Sequence, residues 1–162
     1  MLIRDTITED LPSILAIHND AIATTTAIWD ETEVGLDERI TWFDGRLRAG
    51  FPVLTAVVDG SIAGYASYGQ WRPKSGYRLT VEHSVYVDKA FHRRGIASAL
   101  LAELIARART AGIHAMIAGI ESGNTTSVAL HDKFGFVTVG QLPEVGVKFD
   151  RWLDLTLMQL SL

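Results

Sequence analysis

The chain has 162 residues, 48% hydrophobic and 21% charged, with a net charge of −4. That length suits one domain, residues 1–162, with a full core, and the acidic balance speaks against a duplex nucleic-acid partner. There is no cysteine, which excludes disulfides, thiolate metal sites and cysteine nucleophiles. Charges within the first ten residues leave no place for a signal-peptide apolar region. No apolar run approaches the ~20 residues that span a bilayer. A cytoplasmic protein with no membrane partner is the expectation.

Residues 1–7 (MLIRDTI) alternate and predict an opening strand. Thr8-Glu9-Asp10 starts a helix, with Thr8 as N-cap and Pro12 in the first turn. Its stripe of Leu11, Ile14, Leu15, Ile17 and His18 fades near Ala23. Residues 27–33 are extended or loop. A second helix over 36–50 carries Leu36, Ile40, Trp42, Phe43 and Leu47 inward, with Gly50 as C′ residue. Runs at 52–59 and 62–71 flank Asp59-Gly60 and predict a hairpin. Residues 72–77 (RPKSGY) form a polar loop. Residues 79–88, rich in Val, Thr and Tyr, read as a strand, 89–94 as a basic turn, and 95–111 as a long amphipathic helix. A buried strand at 114–121 and a short helix at 125–134, ended by Gly135, follow. A strand starts at 136–139, a loop surrounds Pro143, and residues 148–160 alternate as a last strand. Within it Phe149, Leu153, Leu155, Leu157 and Leu160 contrast with Asp150, Asp154, Thr156 and Gln159. The order β-α-α-β-β-β-α-β-α-β-β predicts an α+β fold (a mixed α/β three-layer arrangement) with a mostly antiparallel sheet, because hairpins dominate.

A strand feeding a basic turn that opens a helix is an anion trap: free N–H groups and the positive dipole end favour phosphate. Neither a G-x-G-x-x-G fingerprint nor a Walker loop is present. Arg93 and Arg94 bring charge, and Gly95 permits close approach of a ligand. The bland alternative is a solvated basic turn before a core helix. Alternation on the preceding strand puts Leu79, Val81, His83, Val85 and Val87 on one face. It puts Thr80, Glu82, Ser84, Tyr86 and Asp88 on the other. His83 thus reads as a satisfied core histidine and Glu82 as a carboxylate facing a polar cavity. His18, His92 and His114 lack metal-ligand spacing, and no metal is expected.

Two segments carry a resemblance. His92-Arg93-Arg94-Gly95-Ile96-Ala97 is similar to the Gln/Arg-x-x-Gly-x-Gly/Ala signature of the GNAT superfamily of N-acetyltransferases, with His at the first position. Asn124, then Ala129-Leu130-His131-Asp132-Lys133-Phe134-Gly135-Phe136, resembles that family's second signature with one residue fewer. Residues 81–87 (VEHSVYV), 129–133 (ALHDK) and 146–154 (GVKFDRWLD) are similar to the phosphinothricin acetyltransferase branch. The resemblance implies a splayed sheet of about seven strands flanked by four helices. It implies acetyl-CoA as acetyl donor. It also implies a small glutamate- or methionine-like amino acid as acceptor (phosphinothricin, methionine sulfoximine or methionine sulfone), in a homodimer.

The resemblance also implies roles. Arg93, Arg94, Gly95, Ile96, Ala97 and Ser98 would hold the pyrophosphate, and the backbone of Val85, Tyr86 and Val87 would pair with the pantetheine amides. Asn124 would bond the pantetheine arm or simply cap its helix. Lys133 would reach a CoA phosphate or simply solvate the helix. Glu82 would take the proton of the incoming amine; otherwise it is a surface carboxylate on a half-exposed strand. His131 stands where relatives place a tyrosine that protonates the departing thiolate, though a helical histidine is also an ordinary structural residue. For the substrate carboxylate, Arg72, Lys74, Ser75, Gly76 and Tyr77 lie just before the Glu82 strand, and a guanidinium grips a carboxylate with two bonds. Trp29 would shape the side-chain pocket. A protein N-terminus as acceptor, or a non-catalytic acyl-CoA sensor, remain alternatives on the same fold.

Overall fold

The structure is a computed structural model that describes residues 1–162. Its elements follow the expected order. They are β1 (Leu2–Asp5), α1 (Leu11–Thr24), α2 (Leu36–Arg48), β2 (Val53–Val58), β3 (Ser61–Gln70), β4 (Thr80–Val87), α3 (Ile96–Thr110), β5 (Ala115–Glu121), α4 (Thr125–Lys133), β6 (Val137–Lys148) and β7 (Arg151–Ser161). One seven-stranded sheet runs β1-β2-β3-β4-β5-β7-β6. It is mixed: every neighbouring pair is antiparallel except β4–β5, which is parallel because α3 carries the chain back across the sheet.

Two cores fill the two faces. Leu100, Leu101, Leu104 and Ala108 of α3 pack on Leu54, Ala66, Val81, Met116 and Met158 of the sheet. On the opposite face Leu11, Ile14 and Ile17 of α1 and Phe43 of α2 pack on Val53 and Tyr65. The alternation expected for β4 is realised, since Val81, Val85 and Val87 join the α3 side and Tyr86 the α1 side. Asp59 and Gly60, at φ 50° and 78°, make the tight turn between β2 and β3, the left-handed pair that matches strand twist.

The pairing of β4 with β5 ends early. It holds from Thr80↔Ala115 to Glu82↔Ile117 and then stops, although β4 continues to Val87 and β5 to Glu121. Beyond Glu82, β4 stays hydrogen-bonded to β3 as far as Val87, so its other edge faces a gap.

Four local expectations are corrected. Thr8 does not cap α1: the Asp10 carboxylate takes the Ile7 N–H at 3.0 Å and is gripped by Arg4 at 2.6 and 2.9 Å. In α2 the buried residues are Phe43 and Arg39, while Leu36 and Leu47 are exposed; Arg39 is accommodated by lying 4.7 Å above the Trp42 ring and bonding Glu38. Pro143 does not interrupt β6 as a separate loop, because the strand bulges between Leu142 and Gly146 and then resumes. Residues 148–160 are not one strand. Phe149 and Asp150, at φ 52° and 55°, form a hairpin turn, leaving Lys148 at the end of β6. Phe149 is therefore exposed, and Thr156 rather than Leu157 points into the core.

Candidate active site

The parting of β4 and β5 opens a cavity of about 890 Å³ that passes through the sheet. Glu82 lies at the apex of the split. The strands on either side of it carry glycine. On β3, Gly69 is its register partner. On β5, Gly119 is so placed that an added Cβ would come 3.1 Å from Glu82 Oε1. The carboxylate leans into the space that Gly119 leaves. Burial pushes the Glu82 carboxyl above its ordinary value, while Arg72 and Arg46 pull the other way. A carboxylate that holds a proton less weakly than usual is a better proton acceptor.

At the other end of the cavity, α3 begins at Gly95, φ 76°, with no side chain capping its first N–H groups. Arg93 also takes positive φ, at 62°. The first turn of α3 therefore offers unpaired donors where Gly95, Ile96, Ala97 and Ser98 line the cavity. Between the two ends runs the unpaired edge of Val85, Tyr86 and Val87, all three on the cavity wall. A helix N-terminus, an open strand edge and a carboxylate thus lie in line along one channel. A diphosphate joined to an amide-bearing arm and ending in a reactive carbonyl fits that sequence of groups.

Trp29 also lines the cavity. Its ring lies over Gly146 of β6, where any added Cβ would overlap it, and its Nε1 donates to the Thr26 carbonyl at 3.0 Å. This wall is pinned from below: the fully buried Lys148 ammonium donates to the carbonyls of Thr25 (2.7 Å) and Ile28.

His131 and His83 meet inside the cavity, with Nε2 to Nε2 at 3.0 Å and rings stacked at 5.0 Å. His131 Nδ1 is 2.7 Å from the Ser127 carbonyl, which can only accept. The single proton of neutral His131 therefore sits on Nδ1, and its Nε2 accepts from His83 Nε2. His83 Nδ1 is then a bare acceptor, and it is buried without a partner. His83 is not the satisfied core residue expected. Burial and His131 push His83 down to about 3; burial lowers His131 as well, against the Ser127 carbonyl. Both rings are neutral at neutral pH.

Of the residues singled out in the sequence, Glu82, Val85, Tyr86, Val87, Arg93, Gly95, Ile96, Ala97, Ser98, Asn124, His131 and Trp29 share this cavity. Arg94 does not line it; its guanidinium stacks over Phe91 at 5.3 Å. Lys133 is exposed on α4 outside the lining. Arg72, Lys74, Ser75, Gly76 and Tyr77 form an exposed loop, also outside the lining, with Arg72 stacked on Trp71 at 4.8 Å. His92, at the divergent signature position, does line the cavity and lies with Nε2 3.1 Å from the Val87 carbonyl, closing the end of β4 onto the basic turn. Among the lining residues with no functional reading in the sequence are Arg46 on α2 and Gly69. An isolated glycine inside a strand pattern is the one signal that pointed there.

The family model described as "Acetyltransferase (GNAT) family" matches residues 14–136. The L-methionine sulfoximine/L-methionine sulfone acetyltransferase of Pseudomonas paraeruginosa is 56% identical over 161 residues, covering 99% of this chain and 94% of that protein. Among solved structures, a ribosomal-protein-alanine N-acetyltransferase from Brucella melitensis superposes with TM-score 0.99 at 52% identity and full coverage of both chains. YncA from Salmonella typhimurium, solved with acetyl-CoA, superposes with TM-score 0.98 at 48% identity, covering 99% of this chain and 93% of that one.

Asn124 opens α4, and its Oδ1 accepts from Ser127 N at 3.1 Å. Asn124→Ala is expected to lower unfolding free energy by about 1 kcal/mol in urea titration, and Asn124→Asp to retain it. Equal midpoints for Asn124→Ala and the native protein would show that the side chain does not act as a cap.

Proposed function

Because the chain belongs to the acetyltransferase (GNAT) family, we propose that it transfers the acetyl group of acetyl-CoA to the α-amino group of a small amino acid, of the methionine sulfone, methionine sulfoximine or phosphinothricin kind. The observation that carries this reading is Glu82 at the apex of the split, beside an open strand edge and an uncapped helix N-terminus. The named activity of the Pseudomonas relative supports the acceptor class.

Bound in the channel, acetyl-CoA supplies an activated acetyl carbonyl on a thioester. The first turn of α3 would hold its diphosphate, with Arg93 and Arg94 adding charge, and Lys133, outside the lining on α4, would reach a phosphate only along its flexible stem. The free edge of Val85 to Val87 would bond its amides, and Asn124 would use its Nδ2, since Oδ1 is committed to the helix. Glu82 takes the proton from the ammonium, directly or through water. The freed nitrogen forms the C–N bond as the C–S bond breaks, the thiolate leaves with the electron pair, and the second proton shed by the nitrogen ends on that thiolate, giving free CoA. No residue need be acylated, so the reaction needs both substrates together. The exposed loop of Arg72, Lys74, Ser75, Gly76 and Tyr77 forms the rim, where Arg72 acts on Glu82 through charge.

Glu82→Gln is expected to lower kcat by roughly 100-fold or more while leaving acetyl-CoA affinity unchanged by calorimetry. In the native enzyme kcat/KM should fall as pH drops through the raised Glu82 pKa, because the protonated carboxyl cannot accept; that limb should vanish in Glu82→Gln. An unchanged turnover at saturating amine would remove Glu82 as the base.

His131 is assigned to the departing thiolate. It lines the cavity, and a ring N–H released from its pairing with Ser127 or His83 would stabilise the sulfur by a hydrogen bond. His131→Phe should lower kcat at least about tenfold with little change in amine KM; an unchanged kcat would assign the residue to structure alone.

A peptide N-terminus is the second reading, favoured by the name of the Brucella neighbour. Release of free CoA with methionine sulfone, methionine sulfoximine, phosphinothricin and an alanyl peptide separates the two. Activity on the peptide alone refutes the amino-acid reading, and no release with any amine favours a sensor.

We further propose a homodimer formed through β6. This edge strand exposes Val137, Val139, Leu142, Val145 and Val147, an apolar row that a second copy can cover. Analytical ultracentrifugation should find a dimer at micromolar concentration and a monomer for the Val139→Lys/Val147→Lys double variant. A native monomer would overturn this assignment.

A further inference from the structure

The guanidinium of Arg46 is the most conspicuous unused group in the cavity. It projects from the third turn of α2 and lies flat on β3 at Gly69, where any Cβ would overlap it. Its Nε is buried and has no hydrogen-bond partner, and it takes part in no ion pair. Of the other arginines, Arg4 holds Asp10, Arg39 holds Glu38, and Arg107 holds Glu103. The acid nearest in the fold, Glu82, leans the other way, toward Gly119 on β5. Trp42 borders the guanidinium, with its ring 5.9 Å from Cζ.

A guanidinium nitrogen that is buried without a partner costs free energy, and an anion in the cavity would offset that cost at this half-buried side chain. Gly69 is the register partner of Glu82, so the Arg46 cation seated on β3 and the Glu82 carboxylate of β4 enter the cavity from adjacent strands. The charges run plus to minus across the sheet. A free α-amino acid presents the complementary pair, carboxylate and ammonium on one carbon.

We propose that Arg46 binds the α-carboxylate of the acceptor while Glu82 faces its α-ammonium, so that Arg46 makes the site select free amino acids over peptide N-termini and simple amines. This rests on the amino-acid acetyltransferase reading above. It moves the carboxylate anchor from the rim residue Arg72, which is exposed and stacked on Trp71, to a residue inside the cavity. A peptide N-terminus carries an uncharged amide where the carboxylate would be and leaves the guanidinium unpaired, which disfavours it.

The test compares L-methionine sulfone with its C-terminal amide as acceptors for the native enzyme and for Arg46→Gln, Arg46→Lys and Arg72→Gln. The acid-to-amide ratio of kcat/KM is the readout, so the lower amine pKa of the amide cancels between variants. Arg46→Gln should lose on the order of 100-fold in kcat/KM for the acid, chiefly through KM, and little for the amide. Arg46→Lys should recover part of the preference, and Arg72→Gln should keep it. Unchanged acetyl-CoA affinity by calorimetry would show that the variants are folded. An Arg46→Gln enzyme that keeps the native ratio, or loses both substrates equally, overturns the inference, as does collapse of the ratio in Arg72→Gln instead. A native enzyme active on peptides but inert on both small acceptors overturns the amino-acid reading itself, and this inference with it.

Discussion

The site depends on β4 and β5 ceasing to pair after Glu82 and Ile117. In a continuous sheet the backbone groups of Val85 to Val87 would be satisfied by a neighbouring strand, and the sheet would be closed to a ligand. Here one side of β4 stays locked to β3 through Val87 while the other is free. The antiparallel pairing of β5 with β7, unbroken from Ala115 to Glu121, holds the far bank of the gap in place. Both banks of the opening are therefore held by strand pairing, and a ligand that supplies amides would repair a defect already present in the fold. The large α3 core beneath it fixes the helix whose first turn faces the same channel.

Glycine sets the lateral shape of the site. Gly69 gives Arg46 a place on β3, Gly119 receives the Glu82 carboxylate on β5, and Gly146 lets Trp29 lie against β6. Each removes a side chain from a strand so that a functional group from elsewhere can occupy its position. The same logic explains why a lysine is buried at the end of β6. Residues 25–29 form no regular element, and the Lys148 ammonium satisfies two of their carbonyls. Without it, the wall carrying Ile28 and Trp29 would have buried acceptors and no donor.

Much of this was legible in the sequence. Periodicity gave the eleven helices and strands in order, Asp59-Gly60 gave its hairpin, and simple alternation sent Glu82 and Val85 to opposite faces of β4. The uncapped helix start at Gly95 was legible because a basic turn opening a helix is written in one short segment. The turn at Phe149-Asp150 was hidden because hydrophobic alternation continues across it, so one long strand and two short ones look alike. Pairing of His83 with His131 joins residues 48 positions apart, and no local pattern encodes it. Arg46 was invisible for a different reason: on α2 it falls among polar residues, and only the absence of a side chain at Gly69, on another element, makes room for it.

That last case also bears on selectivity within one fold. The channel proposed for acetyl-CoA is built from backbone: a strand edge and a helix terminus. Such groups vary little when side chains change. The proposed acceptor end is built from side chains resting on glycines, and at Gly69 and Gly146 a single methyl group would close the seat. A substitution at Gly69 would displace the Arg46 cation from the cavity while leaving the open edge of Val85 to Val87 intact. Donor and acceptor recognition can therefore diverge independently, with the donor fixed by the topology of β4 and β5 and the acceptor by which glycines line the strands beside Glu82.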